Sequence, residues 1–350
     1  MADDHELQLQ CPVPVRSAGV QLAHGGGGRL MQDLIREVFL RSFDNALLRQ
    51  LHDGATFPVE KGTLAFTTDS YVVSPLIFPG GNIGSLAVHG TINDLAMCGA
   101  MPLHLSAGFI LEEGLSMETL RNVVETMAKA AEMAGVQIVT GDTKVVDRGK
   151  GDGMFINTAG IGIVPPGIHI GPEEVKPGDC ILLSGDLGSH GLAVMSVREG
   201  LRFTGGIESD SAPLHRVVAD LMAKGIEIHC LRDLTRGGLA SALNEIASAS
   251  GMTLSIDERS IPVRNEVQGA CELLGLDPLY VANEGRFVAF VPEAQADHAV
   301  EFMRDHDVAK ESVRVGKVSG RESSIVVLKT VLGTHRILDL LSGEQLPRIC

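Results

Sequence analysis

Val164-Pro165-Pro166-Gly167 is the stretch that divides this chain. Two successive prolines remove two backbone donors, and the glycine after them permits a sharp change of direction, so no helix or central strand runs through it. Runs of strand and helix character alternate on both sides. Each half therefore reads as an α+β or α/β layered unit, and a chain of 350 residues is long enough for two such cores. The division predicts a polar N-terminal extension over residues 1–20, a first domain over 21–165, a second over 166–341 and a mobile tail over 342–350.

Working back from the break, Phe155 to Val164 reads as a strand. Val136-Gln137-Ile138-Val139-Thr140 reads as a buried strand that ends at Gly141-Asp142-Thr143-Lys144. Ser116 is a natural N-cap for an amphipathic helix whose stripe is Leu120, Val123, Val124, Met127 and Ala131, closed by Gly135. Leu103 to Leu111 is a strand. Gly81 to Gly99 is a helix that carries the polar pair Asn93-Asp94. Strand-like runs lie within Asp53 to Val59 and from Leu64 to Val73. Before them, His24-Gly25-Gly26-Gly27-Gly28 leads into an amphipathic run, Leu30 to Leu40. The backbone N–H groups of such a glycine run, aimed by a helix N-terminus, suit a phosphate; the same run also serves as a flexible entry loop. No G-x-x-x-x-G-K-[ST] phosphate loop occurs.

Working forward, Asp179 to Ser184 is a strand that breaks at Gly185-Asp186-Leu187-Gly188-Ser189-His190-Gly191. A helix, a charged stretch and a second helix, Pro213 to Lys224, follow. Leu231-Arg232-Asp233-Leu234-Thr235-Arg236-Gly237-Gly238 opens the helix Leu239 to Ala249. Leu254-Ser255-Ile256 and Phe287 to Val291 are strands, and Val263 to Leu274 and Glu293 to Asp305 are helices. Ser324 to Leu328 and His335 to Leu340 are the final strands. No internal repeat is evident.

The net charge of −15 argues against nucleic acid or an anionic membrane as partner. An aromatic content of 4% without tryptophan argues against base-stacking platforms. Neither excludes ATP, which an acidic protein binds by placing Mg²⁺ between carboxylates and phosphates. The six cysteines show no C-x-x-C pair and no zinc spacing. Cys98, Cys180, Cys230 and Cys271 sit in apolar runs and read as core residues, and Cys11 lies in the extension. Met1 to Gln10 has no apolar leader segment, and no run of 18 apolar residues spans a membrane. A reducing cytoplasm is the expected location, where Cys350 stays a thiol.

That cysteine ends the tail, Pro347-Arg348-Ile349-Cys350. Nine extended residues reach about 30 Å, far enough to enter a pocket. A thiolate is a nucleophile and an anchor for acyl-type groups. Arg348 would lower its pKa and the terminal carboxylate would raise it. Position alone favours an incidental last residue. Asp53, Asp69, Asp94, Asp142 and Asp233 stand beside strands or glycines. Singly each is a turn or cap residue; together they are hard oxygen ligands of the kind that hold Mg²⁺ against phosphate. Lys144, Arg232 and Arg236 add cations in the same motifs. Glu284, in Ala282-Asn283-Glu284-Gly285, is either a base or a solvated turn residue. His24, His89 and His190 have no ligand spacing and read as structural.

Taken together, Leu22-Ala23-His24-Gly25-Gly26-Gly27-Gly28, Thr68-Asp69-Ser70-Tyr71-Val72-Val73, Phe78-Pro79-Gly80-Gly81-Asn82-Ile83-Gly84, Asn93-Asp94, Gly108-Phe109-Ile110-Leu111-Glu112-Glu113-Gly114, Thr140-Gly141-Asp142-Thr143-Lys144-Val145-Val146, Arg232 to Gly238, Ala282 to Gly285 and the terminal tetrapeptide resemble one family. It is the HypE family of hydrogenase maturation proteins, carbamoyl dehydratases. These lie within the wider PurM-like group of aminoimidazole ribonucleotide (AIR) synthetase, selenophosphate synthetase and thiamine-monophosphate kinase. The resemblance covers roughly residues 21–350. It implies a PurM-like two-domain fold and a homodimer with ATP near the subunit interface. The first, AIR-synthetase-like domain would give strands to an intersubunit β-barrel, and the second would be an α/β layer.

Asp53, Asp94 and Asp233 match Mg²⁺-type positions. Asp69, Asp142 and Thr143 match the nucleotide site, with Gly26, Gly27, Gly28, Arg232 and Arg236 beside them. Lys144 and Glu284 match residues near the reacting tail. The family's paired acids appear here as His52-Asp53-Gly54, with one acid, and the cysteine and lysine of selenophosphate synthetases are missing. The implied activity is ATP-dependent dehydration of a carbamoyl group on Cys350 to a thiocyanate, with Glu284 as base and Lys144 countering phosphoryl charge. The implied partners are a HypF-type carbamoyltransferase as donor and a HypC–HypD-type scaffold that takes the cyanide to the iron of a nickel–iron hydrogenase. Two rival classes are a small-molecule kinase or synthetase of the same group, and a thiol carrier without catalysis.

Overall fold

The computed structural model describes residues 28–34, 36, 49, 55–59, 62–201, 206–321, 323–341, 343, 346 and 348–350. Asp53, Gly26, Gly27, His24 and Cys11 lie outside them. A short helix, α1 (Arg29–Leu34), precedes the first domain. That domain contains β1 (Ala55–Val59), β2 (Gly62–Tyr71), a small hairpin of β3 (Ile77–Phe78) and β4 (Gly81–Asn82), and α2 (Ile83–Met97). It continues through β5 (Met101–Glu112), α3 (Met117–Ala134), β6 (Gln137–Val146) and β7 (Met154–Val164). The main sheet has the order β1-β2-β7-β5-β6, antiparallel except for the parallel β5–β6 pair.

Period-two alternation decides how this sheet sits. Ala65, Thr67 and Tyr71 of β2 and Met154, Ile156 and Thr158 of β7 point inward and are buried. They pack under α2 and α3 with Ile83, Leu86, Val123 and Met127. The opposite face carries Phe66 and Ile110, each more than two-fifths exposed. No helix of the described residues covers that face.

Helix α2 begins at a full capping box. The Asn82 side chain accepts from the Gly84 and Ser85 N–H groups, and Ser85 Oγ accepts from the Asn82 N–H. Such a cap contributes about 1 kcal/mol. Apolar almost all round, α2 is buried on nearly every side, as a helix wedged between two layers must be. One flank lies on the first sheet, while Ala96 and Met97 join the core of the second domain with Val217 and Leu221.

The elements of the second sheet follow Val164-Pro165-Pro166-Gly167. With the helices between them they are β8 (Cys180–Leu183), α4 (Ser189–Arg198), α5 (His215–Ala223), β9 (Cys230–Asp233), α6 (Gly238–Ser250), β10 (Thr253–Asp257), α7 (Asn265–Leu274), β11 (Phe287–Val291), α8 (Glu293–Arg304), β12 (Val313–Gly320), β13 (Val326–Lys329) and β14 (His335–Ile337). They form a seven-stranded sheet in the order β14-β13-β10-β12-β8-β11-β9. Every residue of β8, β9 and β11 is buried. Ile181, Leu183, Val288 and Phe290 fill one face, and Cys180, Leu182, Phe287 and Ala289 fill the other.

Three expectations are corrected here. The strand expected to be buried over Val136 to Thr140 is an exposed edge strand, and it continues through Gly141 to Val146 rather than ending there. Its composition is that of a buried strand, but no described residue covers Ile138, Val139 or Val145. Val124, assigned to the buried stripe of α3, is 43% exposed; Ala130 and Ala134 line the core instead. Cys230 to Asp233 is a strand of its own, not only the approach to a helix.

Candidate active site

The site lies where the two sheets meet around α2, and its acids come from several elements. Asp69 is near the end of β2, and Asp94 projects from α2 with Oδ2 accepting from Thr67 Oγ1 at 2.8 Å. Asp233 ends β9 and is buried. Glu284 stands in the short loop before β11 and is 3% exposed. Its Oε1 has no hydrogen-bond partner among the described residues. Such an orphaned acceptor facing other carboxylates fits a site built around a cation or a protonated substrate group.

The loop that carries Glu284 is fixed on all sides. Asn93 Nδ2 donates to the Glu284 carbonyl at 3.3 Å and to the Ala212 carbonyl at 3.0 Å, so α2 of one domain holds the loop of the other. The Asp210 carboxylate accepts from the Glu284 and Gly285 N–H groups. A Cβ at Gly285 would overlap the Asp210 carbonyl, so only glycine fits beside the acid. Asn283 Oδ1 accepts from the Gly188 N–H at 2.7 Å. Beneath the loop, Asp186 pairs with Arg286 at 2.5 Å and with Arg264 at 2.7 Å. That buried network fixes the loop's geometry more than it adds stability.

Into this site comes the end of the chain. The tail is seated. Ile349 is 3% exposed and joins the core that holds Tyr71 and Phe78, and Leu346 packs beside it. The tail lies along residues 72–74 in strand-like fashion. The Val72 N–H donates to the Cys350 carbonyl and the Ser74 N–H to the Arg348 carbonyl, both at 3.2 Å. His190, read from sequence as structural, donates from Nε2 to the Ile349 carbonyl at 3.0 Å. Its Nδ1 accepts from the Ser209 hydroxyl at 2.7 Å, and burial lowers its pKa and keeps it neutral. Arg198 Nη2 donates to the Arg348 carbonyl at 2.6 Å.

Arg348 itself has φ 54, a left-handed conformation that costs an ordinary residue roughly 1–2 kcal/mol. It does not serve the thiol as expected: its guanidinium pairs with Asp152 at 2.5 Å. The cation beside Cys350 is Arg236. Burial pushes the Cys350 thiol up to about 12, Arg236 pulls against that shift, and Glu284 and Asp69 add to it. Arg236 is pushed upward in turn, first by Cys350. Glu284 is raised well above the usual carboxylate range by burial, then by Asp233, Asp69 and Asp210, with Arg236 opposing. Burial thus favours the neutral forms of both the thiol and Glu284, with Arg236 opposing it at each.

The sequence-predicted residues divide clearly. Asp69, Asp94, Asp233, Glu284, Arg236 and Cys350 share one electrostatic neighbourhood. Arg232 does not point there. It sits on the opposite face of β9 from Asp233, and its Nη1 pairs with Glu245 of α6 at 3.2 Å. Asp142 and Lys144 pair with each other at 2.7 Å on exposed β6. By strand register Lys144 lies three strands from the tail's dock, on the order of 14 Å at usual strand spacing. Thr143 is on the same strand. Gly28 lies against the base of the tail, where a Cβ would press on the Leu341 carbonyl.

Both halves of the chain match family models, the AIR synthase related protein N-terminal domain over residues 51–164 and the C-terminal domain over 176–329. The two-domain fold around an acidic cleft is therefore that of the AIR synthase-related class. Within it, the chain is 54% identical to the carbamoyl dehydratase HypE of Azotobacter vinelandii, covering 96% of this chain and 98% of that protein. It is 53% identical to the carbamoyl dehydratase HypE of Cupriavidus necator across the full length of both. A crystal structure of a hydrogenase maturation protein HypE in complex with ATP superposes with a TM-score of 0.81 at 50% identity, covering 95% of this chain and all of that one. The chain belongs to the HypE family of carbamoyl dehydratases.

Proposed function

We propose that this chain dehydrates a carbamoyl group carried on its own Cys350, using ATP, and so makes the thiocyanate from which hydrogenase iron receives cyanide. The observation that carries this reading is the seating of the terminal thiol beside Arg236 and Glu284, in a cleft of carboxylates. An enzyme acting on a free metabolite has no need to fill its own cleft with its last residue. A mere thiol carrier has no need of an acidic cleft around the thiol.

The chemistry follows from the group to be removed. In S–C(=O)–NH₂ the oxygen is a very poor leaving group. Transfer of the γ-phosphoryl of ATP to that oxygen gives an imidate-like S–C(–O–PO₃)=NH, with one nitrogen proton lost. Loss of the second proton expels phosphate and leaves S–C≡N. Overall, S-carbamoyl-cysteine and ATP become S-cyano-cysteine, ADP, phosphate and one proton.

Glu284 is the base for those protons. A carboxylate whose pKa is raised by burial is a stronger base than an exposed one, and positioned proton transfer is worth roughly 10²–10⁴ in rate. Arg236 counters negative charge beside the sulfur. The buried Ile349 side chain closes the cleft behind the thiol and keeps water from the activated intermediate. Asp94 and Asp233, with Asp53 as a further ligand, are the residues that would hold Mg²⁺, which would neutralise phosphate charge when bound. Asp69 belongs with the nucleotide.

The bare outer face of the first sheet and the exposed Lys144 support a homodimer. Its second copy would cover Phe66 and Ile110 and complete the β-barrel, carrying Lys144 of one chain towards the tail of the other. A complex of HypE with HypF is known at 47% identity to this chain and a TM-score of 0.84. We accordingly assign carbamoyl supply to a HypF-type carbamoyltransferase and cyanide delivery to a HypC–HypD-type scaffold, in a cytoplasm that keeps Cys350 reduced. The test is intact mass after incubation with the carbamoyl donor and ATP. One carbamoyl gain, followed by loss of one water only with ATP, is expected, and Cys350→Ala should show neither. A nitrile formed without ATP, or product from Cys350→Ala, would overturn the reading.

A further inference from the structure

We propose that His190 and Arg198, both on α4, are positioning residues that hold the tail in its seat and thereby deliver Cys350 to the cleft. Their side chains donate to two successive tail carbonyls, His190 Nε2 to Ile349 and Arg198 Nη2 to Arg348. Both donors come from one rigid helix, α4. Neither touches the sulfur.

Each donor is itself pre-set. A carbonyl only accepts, so His190 must carry its proton on Nε2. The Ser209 hydroxyl enforces this tautomer by donating to Nδ1, while Ser209 Oγ in turn accepts from the Ser211 N–H. The imidazole edge also packs at right angles against Phe78, which fixes the ring plane. Arg198 is braced by the Ser74 carbonyl, to which Nε and Nη2 both donate, at 2.9 and 2.5 Å. Ser74 is one of the two residues whose N–H groups receive the tail, so one guanidinium ties together both sides of the strand-like contact.

This arrangement answers a difficulty that the seat creates. Arg348 is held at φ 54, where a free arginine rarely rests, so the seated conformation is not one the tail keeps by itself. Leu346 and Ile349 supply apolar grip, with Gly191 on the same helix leaving the space that Leu346 fills. Apolar grip does not set register, however, and the two carbonyl contacts do. A slip of one residue would turn Ile349 out of its pocket and the thiol away from Glu284.

The inference rests on the proposed role of Cys350, but its test does not. The probe is the rate at which iodoacetamide alkylates Cys350 in the full-length protein without ATP or carbamoyl donor, read from the mass of the C-terminal peptide. Cys350 is half-buried in its seat beside Arg236 and Glu284, so it reacts more slowly there than on an open tail, and weakening the seat raises the rate. His190→Ala and Arg198→Ala should each accelerate alkylation about tenfold or more, with melting temperature and ATP affinity near those of the parent. His190→Gln, whose amide can replace the Nε2 donor, should return the rate to within about threefold of the parent. In turnover the alanine variants should lose kcat with the KM for ATP unchanged. If His190→Ala fails to fold, Arg198→Ala, half-buried at the helix end, carries the test. An alkylation rate unchanged in Arg198→Ala and in whichever histidine variant folds would overturn the proposal.

Discussion

The two sheets of this chain use similar residues to opposite ends. In the second domain β8, β9 and β11 are buried on both faces, with Phe290 on one side and Phe287 on the other. In the first domain the sheet is closed on one side only. Its other face shows Phe66 and Ile110 to solvent, and its edge strand β6 shows Ile138, Val139 and Val145. A sheet packed on both faces is a finished core, while an apolar face left bare is the kind of surface that the proposed second copy would cover. The groups assigned to chemistry follow the same division. Glu284, Arg236 and the tail come from the finished half, and Lys144 waits on the unfinished one.

The sharpest way to break this comparison is at the finished side. Glu284→Gln should slow dehydration by roughly 10²–10⁴ while carbamoylation of Cys350 continues, so the carbamoyl form accumulates by mass. Full turnover would remove Glu284 as the base. Next is a pair of phenylalanines. Phe290→Ala should cost roughly 3–5 kcal/mol in denaturant unfolding at any protein concentration, because a filled core loses a ring. Phe66→Ala should cost the single chain under about 1 kcal/mol but make the midpoint depend strongly on concentration, as a weakened dimer does. Equal costs at both sites would erase the distinction between the faces.

A smaller effect separates same-chain from cross-chain action of Lys144. Lys144→Ala and Cys350→Ala chains, each inactive alone, should recover about one quarter of parental activity when mixed equally and allowed to exchange. No recovery would place Lys144 in its own chain's site or in none. The smallest effect is on stability. Because Glu284 has a raised folded pKa, the folded state keeps a proton that the unfolded state releases above pH ~4.3. The parent therefore loses stability as pH rises from that value towards the folded pKa. Glu284→Gln escapes that loss, so its melting-temperature advantage should grow by about a few degrees between pH 5 and 7.5. A constant difference would mean that the carboxyl is not raised.

Much of this was legible because local chemistry wrote it. The proline pair lies between the two sheets, Ser116 caps α3, and acids at strand ends or beside a glycine are Asp69, Asp233 and Glu284. The misreadings also have physical reasons. Strand β6 has the composition of a buried strand although Ile138, Val139 and Val145 are exposed, so composition alone points to the core. Strand β12 carries a readable alternation, Val313-Arg314-Val315, that a bulge near Gly316 interrupts. The two tail-holding side chains were invisible because their partners lie 159 and 150 residues away. Arg348 was credited with the thiol because it is the nearest cation in sequence, although Arg236 is the cation that acts on it.

The dock for the last residue has a practical corollary. Ile349 is sunk in the core, and the carbonyl of Cys350 is already engaged by the Val72 N–H. Purification handles or reporters appended after Cys350 would have to thread through that crevice or pull the sulfur out of it. Recombinant material meant to be active should carry its label at the opposite end of the polypeptide.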